Sequence, residues 1–368
     1  MKLIAFLWKS SRKPGTVSSA LAASLLVVLT APAVSGAQFS ASKTVDESIT
    51  VIHLKDSTRA LEVDIVPAFG NRAIAFRMHG KNILYFPQKT LQDFAAKPGL
   101  NGVPFLAPWA NRLDGSSYWA NSKEYRLNPD LKNYEIGNAG LPIHGLLASS
   151  PLWEVTELKA DGKSAHVTSR LRFWKYPDLM AQWPFAQEYE MTYRLADGAL
   201  EVRTSVINMS TESIPIAIGF HPYYRIPDKP RDEWTTHLPV RKTVETDERL
   251  VPTGEQKPAE LADPLPLKDR RLDNGFTDLI RDDKGLAHFS IDSGSEKIEI
   301  LFGPKYPVTV VWEPRPFPTP QDEFFCIEPM TGVTNAINLN HQGKYPELQK
   351  APPGQTWTES FWIRPSGF

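Results

Sequence analysis

The sequence predicts an all-β protein built as a large antiparallel β-sandwich, and three observations support this class. Apolar and polar residues alternate over several short segments, beginning with Leu61, Val63 and Ile65. Two pairs of such segments flank short glycine-containing turns, as the strands of β-hairpins do. The chain also contains 32 Pro against 22 Gly, and proline breaks helices but suits the turns between short strands.

Two hairpins follow from this pattern in chain order. The first joins residues 189–195 to residues 200–206 through an Ala-Asp-Gly turn at 196–198. The second joins residues 289–291 to residues 298–300 through Asp-Ser-Gly-Ser at 292–295, and residues 308–312 and 356–363 predict further strands. Residues 227–271 are rich in proline and charged residues, and they form either a linker or a long ordered segment of the domain. Trp234, Val240 and Leu250 favour order.

Composition and charge exclude several classes of protein. The 41% hydrophobic and 23% charged residues are ordinary for a globular protein and argue against disorder. A formal charge of -1 argues against a nucleic-acid binder, which needs an excess of Lys and Arg. The lone Cys326 excludes an intramolecular disulfide and a cysteine-rich zinc site.

The N-terminal 37 residues have the order of a secretory signal peptide. Four basic residues precede an apolar run at residues 20–34, and small residues then end at Ala37. We expect cleavage after Ala37, a secreted or periplasmic protein, and a single domain over residues 38–368. Loss of four positive and no negative charges would lower the formal charge from -1 to -5. The alternative is an uncleaved anchor, which the short run and Pro32 disfavour.

Five short segments place polar residues between apolar or rigid neighbours. Glu328 follows four apolar residues and precedes Pro329, which predicts a strand-end carboxylate whose burial would raise its pKa and make it a usable base. Each histidine alone is as consistent with a structural role, and Asp273 before Asn-Gly is consistent with a plain turn. The other members of these segments are Trp109, Asn111, Arg112, His144, His221 and Tyr223.

Other catalytic motifs are not present in the sequence. His144 and His221 lie 77 residues apart, and no local zinc-binding spacing occurs. The chain has no Gly-x-Ser-x-Gly elbow and no glycine-rich phosphate loop. A glycosidase that uses Glu328 and Asp273 as its two carboxylates remains open, as does a polysaccharide lyase. No cofactor or metal is expected.

Taken in order, the segments resemble the aldose 1-epimerase (galactose mutarotase) family. The resemblance runs from about Val51 to Phe368. Its motifs are Asn111-Arg112-Leu113, Pro142-Ile143-His144-Gly145, His221-Pro222-Tyr223, Val251-Pro252-Thr253-Gly254-Glu255, Asp273 with Phe276, Glu328-Pro329-Met330-Thr331, and Asn335-Ala336-Ile337-Asn338. Three positions depart from the pattern of the galactose enzymes: Trp183-Pro184-Phe185, Tyr223-Tyr224-Arg225 and Asn274 after Asp273.

The resemblance implies a supersandwich fold and a role for each residue. Glu328 would be the general base at the anomeric O1 hydroxyl, and His221 the general acid at the ring oxygen. His144, Arg112, Asp273 and Asn111 would bind sugar oxygens, with Trp109, Trp183 and Tyr223 as candidate faces for the ring. The implied function is interconversion of the α and β anomers of a free hexose, with a small sugar as the only partner.

Two alternatives stay open beside this function. A hexose-6-phosphate 1-epimerase would need a basic cluster for the phosphate, for which Arg225, Lys229 and Arg231 are candidates. A non-catalytic carbohydrate-binding protein would keep the cleft without turnover. No nucleic-acid partner is expected, and no membrane contact after signal cleavage.

Overall fold

Strands dominate the chain because buried and exposed side chains alternate along much of it. The strand at Ala165–Arg172, for example, alternates strictly between buried and half-buried residues. The computed structural model describes residues 37–314, 316–317, 319 and 322–368, and Ala37–Phe368 cluster into one compact unit. The predicted signal peptide lies outside the described residues, except for Ala37.

The strands follow one another in chain order. The first ten are β1 (Phe39–Asp46), β2 (Ile49–Asp56), β3 (Leu61–Val66), β4 (Arg72–Met78), β5 (Lys81–Asn82), β6 (Phe105–Leu106), β7 (Ser117–Ala120), β8 (Lys123–Arg126), β9 (Glu135–Ile136) and β10 (Pro142–Ile143). The next nine are β11 (Glu154–Ala160), β12 (Ala165–Arg172), β13 (Gln187–Ala196), β14 (Ala199–Asn208), β15 (Ile214–Ile216), β16 (Gly219–Phe220), β17 (Tyr223–Tyr224), β18 (Thr235–His237) and β19 (Val240–Thr246). The last nine are β20 (Pro252–Pro258), β21 (Leu265–Pro266), β22 (Leu272–Leu279), β23 (Ala287–Asp292), β24 (Lys297–Phe302), β25 (Val308–Glu313), β26 (Phe325–Met330), β27 (Gln349–Ala351) and β28 (Thr356–Ser366).

Two large antiparallel sheets form the body of the molecule. One has the order β11-β12-β13-β14-β28-β24-β23-β18-β21, and the other the order β20-β19-β22-β25-β26-β16-β6, with β17 also paired to β26. A third sheet, β1 to β5 in sequential order, lies beside β11 and β12. Three two-stranded pairs, β9 with β10, β7 with β8 and β15 with β27, complete the fold.

The inner faces of the two large sheets meet in an aromatic core. Phe105 of β6 lies 5.4 Å from Tyr189 of β13, and Phe220 of β16 lies 4.9 Å from Phe361 of β28, between ring centroids. These contacts join one sheet to the other, which makes the molecule a β-sandwich. The predicted all-β class and antiparallel sandwich are therefore confirmed.

The predicted hairpins are confirmed as well. Strands β13 and β14 pair along their length, and Ala196 lies opposite Ala199 next to the turn. The two turn residues, Asp197 and Gly198, both have positive φ, 51° and 77°. A two-residue turn of this type matches the right-handed twist of its strands. Strands β23 and β24 form the second hairpin. The proline-rich segment 227–271 is ordered, since it contains β18 to β21 and the buried Trp234.

Helices are few and short. They are α1 (Leu91–Ala96), α2 (Pro177–Gln182) and α3 (Ala336–His341), with 3₁₀ turns at Pro67–Phe69, Pro129–Leu131, Phe173–Lys175 and Arg231–Glu233. Helix α1 begins with a capping box, in which Thr90 and Asp93 bond each other's backbone amides. Within the described ranges, every helix falls short of the length and apolar character needed to span a bilayer.

Candidate active site

The outer face of the second large sheet carries the central candidate residues. Along β26, Phe325 and Ile327 point into the main core, so Cys326 and Glu328 point to the opposite face. Cys326 pairs with Trp312 of β25, and Trp312 pairs with Asp273 of β22. Residues directly opposite in a ladder share a face, and this register therefore places Asp273, Trp312 and Glu328 together.

These positions correct two expectations. Glu328 lies inside β26 rather than at a strand end, and Asp273 lies in β22 rather than in a turn. The sequence Asp-Asn-Gly at 273–275 is typical of turns. Here it continues as a strand because β25 pairs with it on one side and β19 pairs with the rest of β22 on the other.

Loops bring the remaining candidates to the same face. Arg112 follows β6, His144 follows β10, and His221 lies between β16 and β17. The His144 amide donates to the Asn111 carbonyl at 2.9 Å, and the His221 amide donates to the Pro104 carbonyl at 3.1 Å. Backbone hydrogen bonds thus hold residues distant in sequence beside one another.

The side chains line one cleft of about 690 Å³. Arg112, His144, His221, Tyr223, Asp273 and Glu328 all border it, together with Asn111. Its size lies within the range of about 300–1,000 Å³ that is usual for small-molecule sites. No group of three or more metal-ligating side chains is found in the parts of the chain that the structure describes.

A buried acid–base pair forms the floor of the cleft. His221 Nε2 lies 3.2 Å from Glu328 Oε1, and the two side chains are 7% and 1% exposed. Burial raises the pKa of Glu328 well above its usual value, the negative charge of Asp273 adds to this rise, and Arg112 opposes it. Burial lowers the pKa of His221 to about 3. Both shifts favour the uncharged forms of the pair, the carboxyl group of Glu328 and the neutral imidazole of His221.

Four residues that border the cleft each carry a buried polar atom with no hydrogen-bond partner among the described residues. The atoms are Arg112 Nε, His144 Nδ1, His221 Nδ1 and Glu328 Oε2. Buried polar atoms are nearly always bonded, so an unpartnered one at a cleft is an available site for a bound molecule. Desolvation raises the pKa of the Asp273 carboxyl group, and the positive charges of Arg112 and Arg271 oppose this rise.

Asn111 borders the cleft and also holds Arg112 in place. Its Oδ1 accepts hydrogen bonds from the Arg112 backbone amide at 3.0 Å and from Arg112 Nη1 at 2.9 Å. The left-handed backbone of Asn111, at φ 56°, tolerates asparagine better than most residues. Asn111 therefore orients Arg112, and its own contact with a sugar oxygen stays a prediction.

Trp109 and Trp183 are not in the cleft. Trp109 is 1% exposed and Trp183 is fully buried, and their rings lie 6.3 Å apart in the main core. We expected Trp109 and Trp183 to offer their faces to a sugar ring, but both rings pack in the main core instead. Of the three aromatic candidates, Tyr223 alone borders the cleft, stacked on His221 at 4.8 Å.

Sequence reasoning missed one aromatic wall and two cations, Arg249 and Arg271. Trp312 is half-buried, borders the cleft, and meets the His221 ring edge-on at 5.5 Å. Its position opposite Asp273 in the ladder follows from the register of β22 and β25, which the sequence alone does not reveal. Arg271 also borders the cleft; it precedes Asp273 by two residues, so the strand period could have indicated a common side.

The buried histidines give a testable pH dependence. Burial, and then the charges of His221 and Arg112, hold the pKa of His144 well below 6.5. Below pH 6.5 the unfolded chain binds a proton at this residue and the folded chain does not, so stability falls as the pH falls. We expect the stability advantage of wild type over His144→Asn to shrink by up to about 1.4 kcal/mol per pH unit below pH 6.5.

Urea unfolding between pH 7.5 and 5 measures this effect. Asparagine suits the left-handed backbone at position 144, where φ is 62°. A constant difference between wild type and His144→Asn would contradict a neutral buried imidazole.

A family model matches most of the described chain. Residues 52–364 match the aldose 1-epimerase family. The chain is 30% identical over 150 residues to an uncharacterised Escherichia coli protein, YihR, which covers 40% of this chain and 44% of that protein. It is 25% identical over 267 residues to another, YphB, which covers 70% and 82%. The alignment thus spans less than half of YihR.

Solved structures show the same fold. A galactose mutarotase-like protein from Clostridium acetobutylicum superposes with a TM-score of 0.79 at 20% identity, covering 90% of this chain and all of that one. Galactose 1-epimerase from Lactobacillus acidophilus superposes with a TM-score of 0.69 at 13% identity, covering 90% and 99%. The family match covers most of the described chain and the fold agrees with it, so this protein belongs to the aldose 1-epimerase family.

Proposed function

We propose that the protein is an aldose 1-epimerase that interconverts the α and β anomers of a free hexose. The observation that carries the proposal is the buried His221–Glu328 pair on the floor of the cleft. Mutarotation needs a base at the O1 hydroxyl and an acid at the ring oxygen, and both oxygens are bonded to C1. An acid and a base in direct contact are suitably placed for two such neighbouring atoms.

The proposed reaction moves two protons. The proton of the Glu328 carboxyl group first passes to His221, 3.2 Å away. The Glu328 carboxylate then takes the proton from the O1 hydroxyl while His221 gives its proton to the ring oxygen, and the C1–ring oxygen bond breaks. The aldehyde forms, the C1–C2 bond rotates, and the ring closes on the other face with the two roles reversed. Arg112, His144 and Asp273 would hold sugar oxygens, and Tyr223 and Trp312 would border the ring.

The geometry gives less support to a phosphorylated substrate. Of the three basic residues considered for a phosphate, none borders the cleft. Arg231 is fully buried against Glu313 and is committed to that carboxylate. The described cleft lining holds the carboxylates of Glu135, Glu248, Asp273, Glu313 and Glu328 against the guanidinium groups of Arg112, Arg249 and Arg271. Glu313 is paired with Arg231, and burial favours the uncharged form of Glu328. The other three carboxylates equal the three guanidinium groups in number, so the described lining has no excess of positive charge for a phosphate.

Polarimetry tests the proposal. Freshly dissolved α-D-glucose and α-D-galactose relax to their anomeric equilibria, and the relaxation rate of at least one should rise in proportion to protein concentration. Glucose 6-phosphate serves as the comparison substrate. Preference for it would select the phosphorylated alternative, and binding without acceleration of any sugar would select a carbohydrate-binding protein and contradict the proposal.

We also propose that the protein is exported. The basic, apolar and small-residue order of its first 37 residues supports this location. The large core agrees with it, because a domain of this size needs no disulfide to remain folded outside the cytoplasm. N-terminal sequencing of the protein from a culture medium or periplasmic extract should begin at Gln38.

A further inference from the structure

A second cavity lies outside the catalytic cleft and shares no lining residue with it. It has a volume of about 240 Å³ and lies between the β7–β8 hairpin, the end of α3, and the β15–β27 pair. Six of its lining residues carry the argument: Trp119, Asn121, Ser122, Asn340, His341 and Lys350. Its volume is below the range of about 300–1,000 Å³ typical of drug-sized ligands, so it suits a single small ring.

An aromatic wall forms one side of this cavity. Trp119 points outward because its strand neighbours Tyr118 and Ala120 are buried. Its ring lies parallel to that of His341, with centroids 3.9 Å apart and planes 3° apart. The Trp119 backbone amide donates to Asn338 Oδ1 at 3.1 Å, which ties the hairpin to α3. A half-buried tryptophan held in this way exposes apolar ring surface to the cavity.

Two amide side chains are oriented around that wall. Asn121 Nδ2 donates to the Ser213 carbonyl at 2.9 Å, and Asn340 Nδ2 donates to the Tyr345 carbonyl at 2.9 Å. Since each nitrogen is bonded to the protein, the amide oxygen is the atom available to accept from a ligand hydroxyl. Ser122 adds a hydroxyl, and Lys350 adds donors. No carboxylate is found among the described lining residues, in contrast to the catalytic cleft.

We propose that this cavity is a second, non-catalytic binding site for a neutral saccharide ring. A pyranose presents C–H groups on its faces and hydroxyls around its rim, which match an aromatic wall ringed by amides, a hydroxyl and an ammonium group. The described lining of this cavity holds one histidine and no carboxylate, unlike the catalytic cleft, so the proposal is for a binding site. The site would let the protein hold a saccharide independently of its catalytic cleft.

Tryptophan signals separate the two sites in one experiment. The protein, labelled with ¹⁵N-tryptophan, is titrated with methyl β-D-glucopyranoside and methyl β-D-galactopyranoside. Neither probe carries an O1 proton, so neither can be turned over. Indole N–H signals are assigned with Trp119→Phe, Trp312→Phe and Trp174→Phe. Trp119 reports the second cavity, Trp312 reports the catalytic cleft, and the exposed Trp174 lines neither cavity and is the matched control.

We expect at least one glycoside to shift the Trp119 signal along a saturable curve while the Trp174 signal stays in place. His341→Ala should weaken that binding by about tenfold, because it removes half of the aromatic wall, without changing any response of Trp312. An unchanged Trp119 signal overturns the proposal, whether or not Trp312 shifts. Equal shifts of Trp119 and Trp174 also overturn it, since they indicate non-specific contact. The result does not depend on whether the cleft catalyses mutarotation.

Discussion

Glu328→Gln is expected to lower protein-catalysed mutarotation of a free hexose by roughly 10²–10⁴-fold, the usual contribution of a general base. The amide keeps the size of the side chain but accepts a proton too weakly to take one from the O1 hydroxyl. The carboxylate of Glu328 lies 3.2 Å from His221 Nε2 on the cleft floor, so the change also removes the group that shares the proton. Initial rates of optical rotation for wild type and variant give the ratio.

Glu190→Gln is the matched control for this change. Glu190 lies on β13 of the other large sheet, where it pairs with Arg170 at 2.7 Å, so the same substitution there should leave the rate unchanged. A Glu328→Gln rate equal to that of the control would remove Glu328 from the role of base. Such a result would leave any observed activity of the wild type standing.

Glu313→Gln is expected to destabilise the folded protein by about 3–5 kcal/mol, the usual cost of breaking a buried ion pair. Glu313 and Arg231 form a salt bridge in which both side chains are fully buried. This salt bridge ties the ordered segment 227–271 to β25. Within that segment, Arg231 Nη1 also donates to the Leu267 carbonyl at 2.6 Å. The neutral amide removes the fully buried counter-charge of the guanidinium, and Asp232, 3.8 Å from Arg231 Nη1 and 45% exposed, offsets less of that charge. Urea unfolding at constant pH measures the loss.

An exposed pair supplies the comparison. Asp278 lies 3.3 Å from Arg241, with side chains 43% and 56% exposed. Asp278→Asn should cost less than about 1 kcal/mol, because surface pairs contribute little. Replacing both buried partners with apolar residues, as Arg231→Met with Glu313→Leu, should recover much of the stability lost by Glu313→Gln. Equal effects of Glu313→Gln and Asp278→Asn would show that the buried pair contributes no more than a surface one.

The elements that were predicted correctly depend on neighbours in the chain. The β13–β14 hairpin could be predicted because its turn residues, Asp197 and Gly198, adopt positive φ readily and the flanking residues alternate. The β23–β24 hairpin and β25 follow from the same local rule. The positions of proline and glycine, together with apolar residues at every second position, were sufficient to predict the all-β class. Neither signal requires knowledge of distant contacts.

The predictions that were wrong concern residues whose surroundings come from distant segments. Asp273 has a turn-like sequence but lies in a strand, because β25 pairs with it. Trp109 and Trp183 are large aromatic residues, and such residues can border a sugar or fill a core. In the fold they pack near each other in the main core. Trp312 was missed for the converse reason: its place in the cleft depends on the register between β22 and β25.

The sequence by itself determined the strand content, the hairpins and the residue types available for proton transfer. It did so because local backbone preference and the alternation of side chains act within a few residues. Only the tertiary structure decided that Glu328 and His221, 107 positions apart in the printed sequence, lie 3.2 Å apart and are buried. Burial and contact shift the pKa values of these groups, and both depend on which strands pair across the fold.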